Sequence, residues 1–255
     1  MTDAPAAQAT PWIRVLTLNA HQGFHAQRRR PALIRMRDAL RASLADLVFL
    51  QEIGAVSAAE PAAEQYEVLA DGMWPQYAYG RNAVATGGHH GNALLSKYPI
   101  DSWRNVDASV GEAEPRGFLH CAIGLPGDGE FLHAVCLHLA LREDHRRRQV
   151  AALLELVARD VPPGAPLVVA GDFNDWRSHA HRLLVREARL VEVHAAANGR
   201  PARTFPARLP CLRLDRIYVR NIRHRPVTVR AGDWQALSDH LPLAAELCPS
   251  AGRPA

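Results

Sequence analysis

Residues that suit metal and proton chemistry recur in this chain directly after short apolar runs. One such run, at 168–170, is followed by the sequence GDFN at 171–174. Gly, Asp and Asn are also the usual residues of plain turns, so this segment alone is equally consistent with a turn. A polar residue ends an apolar run in the same way at Asn19, Glu52, His138, Asp215 and the pair Asp239–His240.

Taken one at a time, these residues have plain structural explanations. His138 is typical of a hydrogen-bonded core histidine, and Glu52 is typical of a solvated strand end. Asp215 has two arginine neighbours, Arg213 and Arg216, with which it could form an ion pair. Their repetition favours a common purpose, because a packed pair of sheets brings its strand ends to one rim, where ligands bind.

The residue types together indicate phosphoester chemistry. Carboxylates with a carboxamide form a hard oxygen site that suits Mg²⁺ or Mn²⁺. Two histidines, His138 and His240, supply groups that titrate near neutral pH. A divalent cation, an imidazole and an arginine are the groups that the hydrolysis of a phosphate ester uses.

Strands with intervening helices are predicted to position these residues. The pattern predicts strands at 13–19, 45–52, 91–100, 116–125, 129–140, 165–174, 212–221 and 238–247. It predicts helices at 31–44, 142–160 and from about Ser178. The inward faces of the first two helices are predicted to carry Leu33, Met36, Leu40 and Leu44, and Val150, Leu153, Leu154 and Val157, respectively.

The whole chain has the composition of a globular protein. It has 255 residues, of which 48% are hydrophobic and 22% charged. We expect a single domain at 11–248 with loose termini at 1–10 and 249–255. Four scattered cysteines without a C-x-x-C pair indicate reduced thiols, and neither a signal peptide nor an apolar run of roughly 18 residues is found. We therefore expect a cytoplasmic monomer without a transmembrane segment.

The net charge of +4 allows a polyanionic partner. Lys97 is the only lysine, and arginines cluster at 28–30 and 146–148, where helical patterns begin. We interpret both clusters as solvated helix faces rather than as phosphate-binding sites, because no aromatic residues that could stack bases are interleaved with them.

The order and spacing of these motifs resemble those of the endonuclease/exonuclease/phosphatase superfamily, which includes deoxyribonuclease I. The resemblance covers about residues 13 to 247 and rests on the segments TLNAH, LQE, GNALLSKYPI, EPRG, LHL, GDFN, LDRIYV and SDHLPL. The segments HHGNALLS and GRPARTFP resemble the bacterial YbhP-like branch in particular. The resemblance implies an α/β (α+β) fold, a four-layer α/β/β/α sandwich of two mainly antiparallel sheets flanked by helices.

The resemblance also implies a role for each polar residue. Glu52 and Asp239 would bind Mg²⁺ or Mn²⁺, with Asn19 close by. Asp172 and Asn174 would position the attacking water and a phosphate oxygen. The remaining catalytic residues have roles around the phosphate: Asp215 would orient His240, His138 would donate to a non-bridging or leaving oxygen, and Arg116 would neutralise phosphate charge.

Departures from the family pattern bear on the substrate. Ile53 and Gly54 follow Glu52 where deoxyribonuclease I carries a minor-groove arginine, and His21 stands where apurinic endonucleases have an acidic residue.

We expect a nuclease acting on DNA or RNA, so that nucleic acid is the partner. A phosphodiesterase or phosphatase acting on a lipid headgroup or small phosphoester is the alternative, for which the aromatic segment 71–80 would line the cleft or else belong to the core. A catalytically inactive binding module is the third hypothesis. His89 and His90 fit either the rim of the site or a structural position.

Overall fold

The computed structural model describes residues 12–20, 29–54, 64–85, 88–111, 114–126, 131–230 and 232–249. In these ranges the strands are β1 (Ile13–Asn19), β2 (Leu47–Gly54), β3 (Gln76–Ala85), β4 (Gly88–Ser96), β5 (Ile100–Asp107), β6 (Gly117–Gly124), β7 (Phe131–His138), β8 (Leu167–Asp172), β9 (Val191–Glu192), β10 (Asp215–Arg220), β11 (Ile222–Val227) and β12 (Leu243–Pro249). The helices are α1 (Arg29–Ala42), α2 (Gln65–Ala70), α3 (Glu143–Asp160), α4 (His179–Glu187) and α5 (Val193–Asn198), with a 3₁₀ helix at Gly232–Ala236.

The strands form two six-stranded sheets. The first sheet has the order β11-β12-β1-β2-β4-β3, and the second has the order β5-β6-β7-β8-β10-β9. Each sheet contains one parallel pair, β1 with β2 and β7 with β8, and the other described pairs are antiparallel. The crossovers of these two parallel pairs contain α1 and α3, as a parallel connection requires.

Alternation of side chains along the central strands builds the core between the sheets. Ile13 and Val15 of β1 lie in the same apolar cluster as Val168 and Ala170 of β8. The intervening residues of each strand point to the outer face, where helices cover them. Every second residue of a central strand therefore faces the core between the sheets. Where the last such residue of a strand is polar, its side chain lies at the end of this core.

Helices cover the outer face of each sheet. Leu33, Met36 and Leu40 of α1 pack in a cluster with Leu16 and Leu18 of β1. On the other side, α3 and α4 pack on the second sheet through Val150, Leu153, Leu156, Val157, Ala180 and Leu184. The four-layer α/β/β/α sandwich with mainly antiparallel sheets is thus confirmed.

Two details of the predicted helices are wrong. Helix α1 ends at Ala42, and Leu44 has a φ of 57° and is 61% exposed, so Leu44 does not belong to the inward face. In α3 the buried apolar residues are Val150, Leu153, Leu156 and Val157, so Leu156 takes the place predicted for Leu154, which is only partly buried. A shift of two residues on a helix turns the side chain by more than half a turn, which accounts for the second difference.

The chain ends differ slightly from the predicted boundaries. Pro249, predicted to lie in the loose C-terminal segment, ends β12 and pairs with Ile222. Residues 1–11 and 250–255 lie outside the described residues. None of the four cysteines forms a disulfide bond in the described residues. Among the described helices, none combines the length and the apolarity that crossing a bilayer demands.

Part of the aromatic segment 71–80 packs in the apolar cluster between the first sheet and its helices. Trp74 is 2% exposed and its Nε1 donates to the carbonyl of Ala45 at 3.1 Å, while Met73 and Tyr79 pack against the same cluster. Tyr79 also binds His89, whose Nδ1 is 2.8 Å from the tyrosine hydroxyl. Met73, Trp74, Tyr79 and His89 therefore have structural positions, whereas Tyr77 is 42% exposed.

Candidate active site

Three catalytic candidates lie side by side at the end of the second sheet. The strand register pairs His138 of β7 with Asp172 of β8, and Asp172 in turn with Asp215 of β10. Each continues the inward-facing set of its strand, so the three side chains meet where the core between the sheets ends. All three are buried, with exposed fractions of 5%, 2% and 0%.

The first sheet contributes Asn19 from the end of β1. Its Nδ2 lies 3.1 Å from Oδ2 of Asp172 and 3.4 Å from Oε1 of Glu52. One carboxamide thus connects carboxylates from the two sheets. The carbonyl oxygen of Asn19 accepts a hydrogen bond of 2.7 Å from the hydroxyl of Ser238, which fixes this strand end.

Glu52 reaches the site through an irregularity in β2. Regular alternation from Val48 and Leu50, which face α1, would place Glu52 on the outer face. The register with β4 shifts between Leu50 and Ile53, and Glu52 has a φ of 55°. This bulge lets Ile53 take the outer position and directs Glu52 toward His138, whose Nδ1 is 3.7 Å from Oε1 of Glu52.

The GDFN segment is both a tight turn and part of the site. A side chain at Gly171, whose φ is 149°, would collide with the carbonyl oxygen of Leu137. Asn174 has a φ of 47°, and its backbone N–H donates to Oδ1 of Asp172 at 2.9 Å. Its Nδ2 lies 2.9 Å from the carbonyl oxygen of Leu139 and 3.2 Å from Nε2 of His138. The turn therefore positions both polar side chains against β7.

Asp215 and His240 form a buried hydrogen-bonded pair. Oδ2 of Asp215 is 2.8 Å from Nδ1 of His240, and Nε2 of His240 is 3.9 Å from Oδ2 of Asp172. The alternative ion pair with a neighbouring arginine is wrong: Arg216 binds the carbonyl oxygen of Asp175 at 2.7 Å, and Arg213 that of Pro201 at 2.9 Å.

Burial and charge shift the pKa values of this cluster in opposite directions. Burial and the neighbouring Asp215 carboxylate raise the pKa of Asp172 to about 6. Burial alone would lower the pKa of His240, but the carboxylate of Asp215, followed by those of two other aspartates, outweighs it and raises the pKa to about 10. His240 is therefore the cation of the cluster at neutral pH.

Asp239 and Arg116 lie at the same end of the sandwich. Asp239 directly precedes His240 in the segment before β12, and its carboxylate is among the groups that raise the pKa of His240. Arg116 directly precedes β6, whose Phe118 pairs with Leu137, so Arg116 lies next to the end of β7. Arg116 is half-buried, and its backbone N–H donates to the hydroxyl of Ser109 at 3.1 Å.

His90 lies at the rim of this site. It is half-buried, and burial is the main cause that lowers its pKa. The carboxylate of Glu52 opposes this effect and the charge of Arg116 adds to it, so His90 is within electrostatic reach of both residues. His21, the other histidine singled out near the site, lies outside the described residues.

Ser238 and Thr204 support the site although neither was predicted. Besides binding Asn19, the hydroxyl of Ser238 accepts a hydrogen bond of 3.0 Å from the backbone N–H of His240. Thr204 accepts a hydrogen bond of 3.4 Å from the backbone N–H of Asp215 through its hydroxyl. Serine two positions before a histidine is a local turn signal that could have indicated the first contact, but the second joins distant segments.

Two groups of side chains offer donor atoms for a cation. Asp172, Asp215 and His240 place one donor atom each within 4.8 Å of one another. In this group, however, Nδ1 of His240 is engaged with Asp215, and the raised pKa keeps the imidazole protonated. Asn19 and Glu52, whose side chains are 3.4 Å apart, carry the second set of oxygens, to which the family resemblance adds Asp239, and such oxygens suit a hard divalent cation.

Comparisons with known proteins place the chain among phosphoester-processing proteins. Residues 16–240 match the Endonuclease/Exonuclease/phosphatase family. The chain is 50% identical to YbhP of Escherichia coli K12 over 243 residues, which cover 92% of this chain and 96% of YbhP.

Solved structures share the fold at low sequence identity. The human Nocturnin catalytic domain with a bound sulfate anion superposes with a TM-score of 0.75 at 17% identity, over 95% of both chains. The mannosyl-6-phosphatase Bt3783 of Bacteroides thetaiotaomicron has a TM-score of 0.68 at 17% identity, over 92% of this chain and 99% of that one.

Proposed function

Because this chain belongs to the endonuclease/exonuclease/phosphatase family, we propose that it is a divalent-metal-dependent hydrolase of phosphodiester bonds, a nuclease acting on DNA or RNA. The observation that carries the proposal is the buried Asp215–His240 pair, which faces Asp172 at the point where Asn19 and Glu52 arrive from the other sheet. This cluster combines a base, an acid and oxygen donors in one place.

Asp172 is suited to position the attacking water and to take its proton. Both of its oxygens are held, Oδ1 by the backbone N–H of Asn174 at 2.9 Å and Oδ2 by the side chain of Asn19 at 3.1 Å. The carboxylate orientation is therefore fixed before substrate binds. With a pKa raised to about 6, Asp172 is ionised at neutral pH and more basic than an ordinary aspartate.

His240 is suited to bind a phosphate oxygen. Asp215 accepts the Nδ1–H of His240, so the protonated ring directs its Nε2–H toward the space beside Asp172. A phosphate oxygen there would accept a charge-assisted hydrogen bond. His138, whose Nε2 is 3.4 Å from Oδ2 of Asp172, is placed to donate to a second oxygen, and Arg116 would neutralise further charge.

A divalent cation, Mg²⁺ or Mn²⁺, would be held by Glu52 and Asp239 with Asn19 close by. The Glu52 side chain is 19% exposed and Asp239 is half-buried, whereas Asp172 is almost inaccessible, so the first pair is more open to an ion that arrives with its water. When bound, such a cation would polarise the phosphoryl group and stabilise its developing negative charge.

A nucleic acid strand is the substrate that the charges favour. The net charge of +4 and Arg116 at the site favour a polyanion. Met73, Trp74 and Tyr79 of the aromatic segment 71–80, which would have favoured a lipid headgroup, are engaged in the apolar cluster beneath α2. A small phosphoester remains the second candidate, because the fold neighbour from Bacteroides thetaiotaomicron is a mannosyl-6-phosphatase.

Two substrates with and without metal test this function. The wild-type protein should hydrolyse bis-p-nitrophenyl phosphate and a fluorescent oligonucleotide with Mg²⁺ or Mn²⁺, and both activities should vanish in EDTA. A sugar monophosphate assayed in parallel should be a poor substrate. Full activity in EDTA would contradict the metal, and turnover of the sugar phosphate alone would replace the nuclease with a phosphatase.

A further inference from the structure

A hairpin beside the active site carries an unusual density of arginine. The segment 199–213, here called the arginine hairpin, contains Arg200, Arg203, Arg208 and Arg213. No aspartate or glutamate occurs between Glu192 and Asp215. The surplus of positive charge in this segment is therefore not offset by nearby residues of the sequence.

Backbone hydrogen bonds give the hairpin a defined shape. Phe205 and Leu212 form an antiparallel bridge, and the N–H of Leu212 donates to the carbonyl of Phe205 at 2.8 Å. The N–H of Thr204 donates in turn to the carbonyl of Leu212 at 2.9 Å. The arginines are thus presented by an ordered backbone.

The base of the hairpin contacts the catalytic pair directly. The hydroxyl of Thr204 accepts from the N–H of Asp215 at 3.4 Å, and its carbonyl accepts from the N–H of Leu241 at 2.9 Å. The ring of Phe205 lies against that of His240, with centroids 4.9 Å apart. Arg203 is therefore adjacent in sequence to a residue that touches the site.

The arginines of the hairpin have no acidic partner in the described part of the chain. Arg200, Arg203 and Arg208 are exposed and take part in none of its ion pairs. Arg213 is half-buried, and its pKa is lowered by burial and then by the charges of Arg203 and Arg200. These side chains are close enough to repel one another, and an anion bound among them would relieve that repulsion.

Several exposed arginines on the helices of the described chain do have acidic partners. Arg147 pairs with Glu143 at 3.4 Å, Arg159 with Asp160 at 2.8 Å, and Arg186 with Glu187 at 2.7 Å. The cluster at 146–148, predicted as a solvated face, also includes the buried Arg146, which binds the carbonyl oxygen of Leu141 at 2.6 Å. Arg147 and Arg148 of that cluster are exposed on a helix, whereas the hairpin arginines adjoin Thr204 and Phe205, which contact Asp215 and His240.

We propose that the arginine hairpin binds the phosphate backbone of a nucleic acid strand next to the scissile bond. This inference rests on the nuclease function proposed above and adds the surface that holds the strand. A single small phosphoester would fill only the pocket around His240, whereas a strand carries further phosphates past its edge, where the arginines lie.

The hairpin also exposes Leu209 at its tip and Leu212 in its bridge, which are 78% and 37% exposed. Exposed leucines among arginines are compatible with an anionic lipid surface as well. Arg200 and Arg203, however, lie close enough to Arg213 for their charges to lower its pKa, so these three arginines are grouped at the base of the hairpin rather than spread along its tip. This grouping favours the backbone of a strand, and lipid binding is an outcome that the test must distinguish.

Oligonucleotide binding without cleavage tests the proposal. The variant Arg200→Gln/Arg203→Gln/Arg208→Gln keeps Arg213 and its hydrogen bond to Pro201. Fluorescence anisotropy with a single-stranded oligonucleotide in EDTA should show Kd raised about tenfold or more and a log–log salt slope flatter by about 2, since each lost phosphate contact removes about 0.7. The matched control Arg147→Gln/Arg148→Gln/Arg186→Gln removes the same charge from exposed helix positions and should change the slope by less than about 0.5.

Equal changes in the two triple variants, or none in the hairpin variant, would overturn the proposal. So would loss of binding to anionic phosphatidylglycerol vesicles in the hairpin variant with oligonucleotide binding intact. Because the measurement needs no catalysis, its failure is distinct from failure of the proposed function, which is judged by metal-dependent hydrolysis of bis-p-nitrophenyl phosphate by the wild type.

Discussion

Two buried histidines on opposite sides of the second sheet have opposite electrostatic environments. His240 is 4% exposed, lies 2.8 Å from a carboxylate oxygen of Asp215, and has its pKa raised to about 10. His120 is 8% exposed, and its Nε2 lies 3.0 Å from Nδ1 of His133. Burial, His133 and then Arg104 lower the pKa of His120 to about 4.

The difference shows what makes a buried histidine of this chain a candidate for chemistry. His120 lies on the outer face of β6, because Leu119 and Cys121 point into the core between the sheets. The neighbouring imidazole of His133 forms a hydrogen bond with the neutral ring of His120. His240 lies where strand ends supply carboxylates and is held as a cation. We therefore assign chemistry to the environment of His240 and a role in stability to the environment of His120.

The largest loss is expected from Asp172→Asn. This change removes the base while keeping the size of the side chain and the contact with the N–H of Asn174. We expect kcat for bis-p-nitrophenyl phosphate to fall about 10³-fold, within the range for a general base. Circular dichroism should show an unchanged fold, and a folded variant with near wild-type turnover would remove Asp172 from the mechanism.

The comparison of histidines predicts the next effect. His240→Ala should lower kcat by about 10²-fold or more, because it removes the proton donor to phosphate. His120→Gln, which removes a buried imidazole on the outer face of the sheet, should change kcat by less than about twofold. Steady-state kinetics on both folded variants checks this, and similar losses in the two would erase the distinction between the environments.

Asp215→Asn should act through His240. The variant keeps the shape of the pair but removes the charge that most raises the pKa of His240. Its kcat should fall about as far as in His240→Ala, within roughly tenfold. NMR titration of the His240 ring should show a lower pKa than in the wild type, because the neutral amide no longer favours the imidazolium. An unchanged ring pKa would mean that Asp215 does not orient and charge His240.

The smallest effect is expected from His120→Gln, on the stability of the fold at acidic pH. The folded-state pKa of His120 lies below the unfolded value, so between about pH 4 and 6.5 the unfolded chain binds more protons. The neutral His120 ring contributes up to about 3 kcal/mol to the free energy of unfolding. This contribution is present above pH 6.5 and is lost as pH falls through about 4. Urea titrations should show a shallower loss in His120→Gln. Parallel pH curves for variant and wild type would show that His120 is not responsible.

Much of the fold and of the site was predictable because strand ends are marked in the sequence. Apolar runs that end in Asn19, His138 or Asp172 predicted the strands and the polar residue at the end of each, and the alternation seen in the structure explains why these residues face inward. The GDFN segment also carries its own local explanation, since Gly171 and Asn174 supply the turn that its geometry needs.

The parts that were not predicted depend on contacts between distant segments. The left-handed backbone of Glu52 arises from a bulge against β4, which has no marker in the residues of β2 alone. Arginines were similarly ambiguous, because Arg146 binds Leu141 in the loop before α3 and Glu143 at its first turn, while Arg203 has no acidic partner among the described residues. Whether an arginine is paired depends on tertiary neighbours rather than on the run in which it occurs.

The central claim is that the cation lies on the Glu52 side of the site and proton chemistry on the Asp215–His240 side. Calorimetric titration of Mn²⁺ into Glu52→Gln and His240→Ala tests this division directly. We expect Glu52→Gln to lose Mn²⁺ binding together with activity, and His240→Ala to lose activity while it binds Mn²⁺ with an affinity close to that of the wild type. Loss of Mn²⁺ binding in His240→Ala, with binding intact in Glu52→Gln, would place the cation at Asp172, Asp215 and His240 and contradict the account.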